Sequence, residues 1–246
     1  MAKAGEIAYL KAIGENGINH AVNKPFSDKR CGKFLIDLGM IFSLLPEPPA
    51  TLLDLGCGTG WTSCFFVKRG YTVTGQDIAE DMIHHAHINK EKQGIENLNF
   101  IKCDYESMNF NSKFDCAVFY DSLHHAEDPE AALRMAYKAL KPGGICITCE
   151  PGKGHEKKQA TVEAVKKYNV TEKDMPPAKI VKIANKAGFK KYKIYPRFIH
   201  IGKALYEEPE GRLPKRFLKY SLLRNIAAVI ILLFTKQYQG LVVMVK

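Results

Sequence analysis

A doubly wound α/β fold on a mostly parallel, seven-stranded sheet is what this sequence predicts, and three observations predict it. Short β-rich runs alternate with amphipathic helical stretches through the centre of the chain. A glycine-rich turn joins the first of these runs to the helix after it. The 246 residues, 46% hydrophobic and 25% charged, can bury one substantial core, and no repeat or low-complexity linker divides them.

Met1 to Pro46 precedes the first strand and is too long to be a tail. Helical apolar spacing at Phe34, Leu35, Leu38, Ile41 and Leu45 predicts an N-terminal helical cap, residues 1–46, folded over the ligand edge of the sheet. Thr51 to Leu55 is the first strand. A helix follows from about Gly60 to Arg69 with Gly70 placed to end it, and Tyr71 to Gln76 is the second strand. Asp77-Ile78-Ala79 opens a helix running to about Gln93, stopped by Gly94. Leu98 to Lys102 and Phe114 to Tyr120 supply two more strands. Asp128-Pro129-Glu130 has the cap, proline and early acid of a helix start, and Lys141-Pro142-Gly143-Gly144 ends that helix with a turn into the strand Ile145 to Cys149. Pro151 to Lys158 is then a loop, with one helix reaching about Asn169 and another starting near Pro177. Strands at Lys191 to Tyr195 and Gly240 to Val245 complete the sheet. The whole chain, 1–246, is expected as one domain, with 47–150 as its ligand-binding core and 151–246 as its C-terminal half.

The net charge of +10 is unevenly spread. Residues 1–150 carry 15 basic and 19 acidic side chains, and residues 151–246 carry 21 and 7. Seven scattered cysteines, mostly in apolar runs, read as reduced core thiols. Cys146-Ile147-Thr148-Cys149 spells C-x-x-C but lies in a strand with no second pair at zinc spacing, so no metal site is expected. Met1 to Ala8 lacks the apolar core of an export signal, which gives a cytoplasmic expectation.

Leu52-Leu53-Asp54-Leu55-Gly56-Cys57-Gly58-Thr59-Gly60 places glycines where a backbone must turn tightly and approach a ligand. Asp77 ends the second strand 17 residues beyond Gly60, where a carboxylate can accept hydrogen bonds from both hydroxyls of a ribose. The dinucleotide pattern G-x-G-x-x-G is not met, because the third glycine comes one position early and Trp61 stands in its place. That disfavours NAD.

With these residues in hand, the chain resembles the class I S-adenosylmethionine-dependent methyltransferases, a Rossmann-like family, and within it the broad small-molecule branch. "LLDLGCGTG", "VTGQDIAEDMIHHA" and "FDCAVFYDSLHHAEDPEAALRMAYKALKPGG" follow that family's order and spacing over residues 50–150. The resemblance implies S-adenosylmethionine as cofactor. It implies that Gly56, Cys57 and Gly58, with Gly60 closing the loop, line the methionine part, that Asp77 holds the ribose, and that Ile78 and Met82 pack by the adenine. Asp104 and Tyr105 would flank the adenine edge, Asp54 would orient the loop and face the ammonium, and Tyr120 would border the site.

Methyl transfer from a sulfonium needs mainly alignment and exclusion of water. A hydroxyl acceptor would also benefit from a base, and Tyr120 to Asp128 follows the fourth strand with His124 and His125 as the candidates. Glu150 and His155 sit at the same edge and read as a solvated loop; His84, His85 and His87 read as surface or packing residues. The expected acceptor is a small molecule, a sugar, quinone or lipid-linked metabolite, and the basic C-terminal half suits one that is phosphorylated, nucleotide-linked or lipid-linked. RNA is the weaker alternative, since no RNA-binding motif is appended and Asn/Asp-Pro-Pro-Tyr/Phe is absent at Tyr120 to Leu123. A cofactor-binding protein without turnover is the third.

The insert 198–239 before the last strand is both basic and apolar. Its uninterrupted apolar run, Ile226 to Phe234, has nine residues, too few to span a bilayer. A buried lid over the acceptor pocket is favoured; an interfacial helix giving peripheral membrane contact is the other reading.

Overall fold

The computed structural model describes residues 2–197 and 239–246, and between them Leu222, Ile226, Val229, Ile230 and Phe234. One sheet is built from β1 (Thr51–Leu55), β2 (Thr72–Asp77), β3 (Leu98–Lys102), β4 (Phe114–Tyr120), β5 (Leu140–Cys149), β6 (Lys191–Pro196) and β7 (Gly240–Val245). Their order is β3-β2-β1-β4-β5-β7-β6. The pairs among β1 to β5 are parallel, and β7 runs antiparallel to both β5 and β6. This is the mostly parallel seven-stranded sheet expected.

The central strands read as near-continuous apolar runs because both sheet faces are covered. Along β1 and β4, Leu53, Leu55, Ala117 and Phe119 point to one face, where α6 (Pro129–Ala139) and α8 (Pro177–Ala187) bury Leu133, Ala136, Ile180 and Ala184 against them. Leu52, Cys116 and Val118 point to the other, where α3 (Cys31–Leu44) and α4 (Trp61–Arg69) bring Phe34, Leu38, Ile41 and Phe66. The strand order reverses between β1 and β4. The crevice at their carboxyl ends is where open α/β sheets take ligands.

The N-terminal segment forms α1 (Ala2–Ala12) and α2 (Gly14–Val22) as well as α3. The apolar spacing revealed only α3, because α2 buries no residue in its own right and acts through backbone carbonyls. The Thr59 hydroxyl donates to the Ala21 carbonyl (2.8 Å), and the Asn89 amide, from α5 (Glu80–Lys92), donates to the Val22 carbonyl (3.2 Å). The tip of α1 meets α7 (Gln159–Tyr168) through the edge-to-face rings of Tyr9 and Tyr168, 5.3 Å apart.

Several boundaries differ from expectation, among them that of α5, which begins at Glu80 because Asp77 still belongs to β2. β5 begins at Leu140, not Ile145, because Leu140 already pairs with Phe114 before a register break at Cys116. The strand thus absorbs the Lys141 to Gly144 turn. Gly60 lies outside α4 as a left-handed N-cap (φ 76°), so that helix starts at Trp61. In the insert, the five described positions are helical, and their apolar side chains are exposed, from 47% at Ile226 to 69% at Leu222. At these positions the buried-lid expectation does not hold; the rest of the insert lies outside the described residues. Among the described residues no helix is long and apolar enough to cross a membrane.

Candidate functional site

A cavity of about 440 Å³ opens at the carboxyl ends of β1, β2 and β4, inside the roughly 300–1,000 Å³ typical of small-molecule sites. Its floor is the turn after β1. The Gly56 and Cys57 N–H groups both donate to the Gln76 carbonyl (2.8 and 2.9 Å), which bends the chain sharply. Gly56 has φ 69°, and a Cβ there would stand 2.4 Å from the Tyr105 hydroxyl and 2.6 Å from Ser122 Cβ. Only glycine lets the turn lie this close to the β4 loop.

Asp77 borders the cavity with each carboxylate oxygen engaged once. Oδ2 accepts the Gly58 N–H and Oδ1 the Ala79 N–H, both at 2.9 Å. A carboxylate has about four acceptor positions, so two are left for a ligand's hydroxyls. Burial pushes the Asp77 pKa up from the ordinary carboxylate range, against these two N–H bonds. Ile78, Met82, Asp104 and Tyr105 line the same end. The Asp104 side chain caps a short turn at the Glu106 N–H (3.3 Å) and is ion-paired to Lys3 of α1, which also reaches Glu106 at 3.0 Å. One residue therefore both caps a turn and lines the cavity.

Two residues expected in the cofactor site stand apart from the cavity. Asp54 is buried in the core, with Oδ2 accepting from Thr62 (2.7 Å) and Ser63 (2.6 Å); it orients the first turn of α4 and is not among the cavity's lining residues. Burial raises its pKa to about 6. Gly60 faces the core, where a Cβ would meet Phe100 at 2.7 Å, so its glycine answers to packing between the loop and β3.

The cavity also has an aromatic wall and a set of ionic groups. Trp61 stacks edge-on against Phe34 (5.9 Å) and Tyr120 (5.8 Å), and all three line the cavity. The Tyr120 hydroxyl donates to Asp37 at 3.2 Å. Asp121 (φ 53°) follows; burial opposes its ionisation, but His124, Lys33, Arg197 and Lys24 hold its carboxyl well below the usual range.

Glu150 was expected in a solvated loop, yet it is 1% exposed. Its carboxylate accepts the N–H groups of Ser122 (3.2 Å), Leu123 (2.9 Å) and His124 (3.3 Å) and the Nδ1 of His124 (2.7 Å). An ionised carboxylate only accepts, so this bond fixes the proton of His124 on Nδ1 and turns Nε2 toward Glu172, 3.5 Å away. His155 Nε2 lies 2.6 Å from the same Glu172 oxygen. His125 lines the cavity and His124 sits behind it, their ring centroids 4.0 Å apart. Glu6, Lys24, Asp121 and Glu172 also line the cavity. None was singled out from the sequence, since no local pattern tells a cavity carboxylate from a surface one.

Burial alone would lower the pKa of His125, but Glu6, then Glu172 and Asp121, hold it up at about 9. The folded value exceeds the unfolded one of roughly 6.5. The stabilisation is therefore complete below pH 6.5 and fades as pH rises through about 9. Denaturation of the wild type and His125→Gln across this range should show their stability difference largest on the acid side and shrinking in alkali. A constant difference would mean that the ring is held by packing and not by charge.

Residues 53–148 match the family model described as a methyltransferase domain. The ubiquinone biosynthesis O-methyltransferase of Hydrogenovibrio crunogenus is 34% identical over 95 residues, 38% of this chain and 39% of that relative. The match thus spans well under half the length of such curated relatives. Among solved structures, phosphoethanolamine N-methyltransferase 2 of Haemonchus contortus, in complex with phosphomonomethylethanolamine and S-adenosylhomocysteine, aligns with TM-score 0.61 at 21% identity, covering 85% of this chain and 52% of that one. An S-adenosylmethionine-dependent methyltransferase from Mesorhizobium loti aligns with TM-score 0.58 at 16% identity, covering 86% and 98%.

The cavity itself fits S-adenosylmethionine. Asp77 keeps free acceptor positions for ribose, Ile78 and Met82 give an apolar slot, and among the described residues only Met82 Sδ, at 3.9 Å, comes near the space beside Gly58. Motif, sheet order and cavity agree with the match of residues 53–148 to the methyltransferase-domain model.

Proposed function

We propose that this chain transfers a methyl group from S-adenosylmethionine to a hydroxyl of a small molecule, such as a quinone precursor, a sugar or a lipid-linked metabolite. The observation that carries the reading is that one cavity joins the Asp77 and Gly58 end to an aromatic wall and a histidine–carboxylate cluster. The bound cofactor supplies a methyl group on a positively charged sulfur, ready for in-line displacement.

The chain's own residues supply the rest. Asp77 holds the ribose, and Gly56, Cys57 and Gly58 let the backbone approach the methionine part. Ile78, Met82 and Tyr105 enclose the adenine with Asp104 at its edge. Phe34, Trp61 and Tyr120 exclude water and offer a flat face to a ring-shaped acceptor. His125, charged at neutral pH, is a donor and not a base as it stands. The Glu172 carboxylate, which lines the cavity, is the group able to draw a proton from an acceptor hydroxyl.

The name of the bacterial relatives supports oxygen as the acceptor atom. Lys24 and His20 at the cavity wall suit a phosphorylated or otherwise anionic acceptor. The outward apolar face at Leu222, Ile226, Val229, Ile230 and Phe234 supports peripheral contact with a membrane that carries a lipid-linked one.

Labelled methyl transfer to a panel of phenols, sugars and amines tests the reading. Label is expected in hydroxyl compounds. Transfer confined to amines would overturn the oxygen assignment, and tight binding of S-adenosylhomocysteine without any transfer would favour a binding protein without turnover.

A further inference from the structure

We propose that His124, His125 and Glu172 form a binding site for a divalent transition-metal ion of the zinc type at the acceptor end of the cavity. One ligand atom from each lies within 4.8 Å of the other two. Around an ion with bonds of about 2.0–2.2 Å, donors sit roughly 3.3–3.6 Å apart. His124 Nε2 and Glu172 Oε2 are already 3.5 Å apart, and only the third donor has to close in.

The hydrogen bonds behind the cluster carry the argument further. Metal-bound histidines almost always donate their second N–H to a carboxylate or a backbone carbonyl, which fixes the tautomer. Both arrangements occur here on adjacent residues. His124 Nδ1 is held by the buried Glu150 carboxylate (2.7 Å), and His125 Nδ1 by the Thr171 carbonyl (2.7 Å). Neither partner can donate, so each Nδ1 carries its proton and each ring offers Nε2 for a cation. Glu172 is kept in place by His155 Nε2 at 2.6 Å, which reproduces the outer support of a ligating carboxylate.

Charge points the same way. Glu6, Glu150 and Glu172 converge on these rings, with Glu6 Oε1 3.4 Å from His125 Nδ1 and also accepting the Thr171 N–H at 2.6 Å.

His125 and Glu172 face the cavity, so the ion would keep an open position toward it. There it could take an acceptor oxygen as a further ligand and lower the pKa of its hydroxyl. This use rests on the methyltransferase reading above, whereas the binding of the ion does not.

The experiment is titration of the chelator-treated full chain with Zn²⁺ against a chromophoric competitor, and with Co²⁺ followed by its visible absorption. One ion per chain is expected, with Glu172→Gln and His125→Gln each weakening it tenfold or more. His84→Gln, on the outer face of α5, should leave it unchanged. Melting temperature and S-adenosylhomocysteine binding on the same samples show whether each variant is folded. Absence of a stoichiometric ion in the wild type, or equal affinity in folded Glu172→Gln and His125→Gln, would overturn the site. Loss in His84→Gln alone would do so too, by moving the ion to the surface histidines. An ion bound without any S-adenosylhomocysteine would sink the cofactor reading and leave the metal site standing.

Discussion

Asp77→Ala is expected to weaken S-adenosylmethionine binding by roughly two to four powers of ten while the protein stays folded. Two hydroxyl bonds to a carboxylate are worth about 1.5–3 kcal/mol each, and each 1.4 kcal/mol is roughly tenfold. The loop adds to the loss, because Asp77 also holds the Gly58 and Ala79 N–H groups that shape the cavity floor. Asp77→Asn keeps one acceptor oxygen and should fall between wild type and alanine. The ionised carboxylate is the form that binds, and burial raises its pKa, so affinity should drop as the solution is acidified toward that raised value. Calorimetry with S-adenosylmethionine and S-adenosylhomocysteine, with NAD in parallel, measures all of this. Binding within threefold of wild type in Asp77→Ala would remove Asp77 from the ribose position; NAD bound in place of both sulfur compounds would end the cofactor assignment altogether.

The side of the cavity lined by Gly56 to Gly58 and Asp77 was legible because it is local. Gly56, Cys57, Gly58 and Asp77 lie within one βαβ unit, where turn geometry and spacing dictate residue type. Asp54 and Gly60 belong to the same motif, yet they are retained for the interior, one capping α4 through Thr62 and Ser63 and the other yielding room to Phe100. A motif names its members and not which way each faces. The histidine–carboxylate side was illegible because it is assembled from afar. Glu6 meets Thr171 across 165 positions, and His124 meets Glu150 across 26. No window of sequence contains both partners, and a lone glutamate is ordinarily a solvated surface residue. Of the N-terminal helices the sequence showed α3 alone, since α2 is held by carbonyls and α1 by the Lys3 ion pairs, the Tyr9–Tyr168 contact and a single buried leucine, Leu10, which leave no apolar period.

Asp37→Ala should cost about 3–5 kcal/mol of stability, the usual penalty for stripping one partner from a buried ion pair. At about 2–4 °C per kcal/mol for a chain of this size, that is a fall of roughly 6–20 °C in melting temperature. Asp37, on α3, is 0% exposed, and Arg197, just after β6, is 1% exposed. The guanidinium Nε donates to Oδ1 at 3.0 Å, a terminal nitrogen pairs with Oδ2, and the other reaches the Glu150 carbonyl at 3.3 Å. The Tyr120 hydroxyl donates to the same Asp37 carboxylate. Four segments far apart in the chain, α3 and the ends of β4, β5 and β6, thus share one buried network. Removing the carboxylate leaves a guanidinium that cannot lose its proton and has no water to solvate it. Asp37→Leu combined with Arg197→Met removes both charges and should recover much of the loss, because the penalty belongs to the orphaned charge more than to the pair. Thermal and denaturant unfolding of the three proteins decide the matter. A single cooperative transition that moves down in Asp37→Ala and back in the double variant would make residues 1–46 part of the same folding unit as the sheet. A shift under about 1 kcal/mol would match an exposed pair, and α3 would then be a detachable cover whose loss leaves the methyltransferase domain standing.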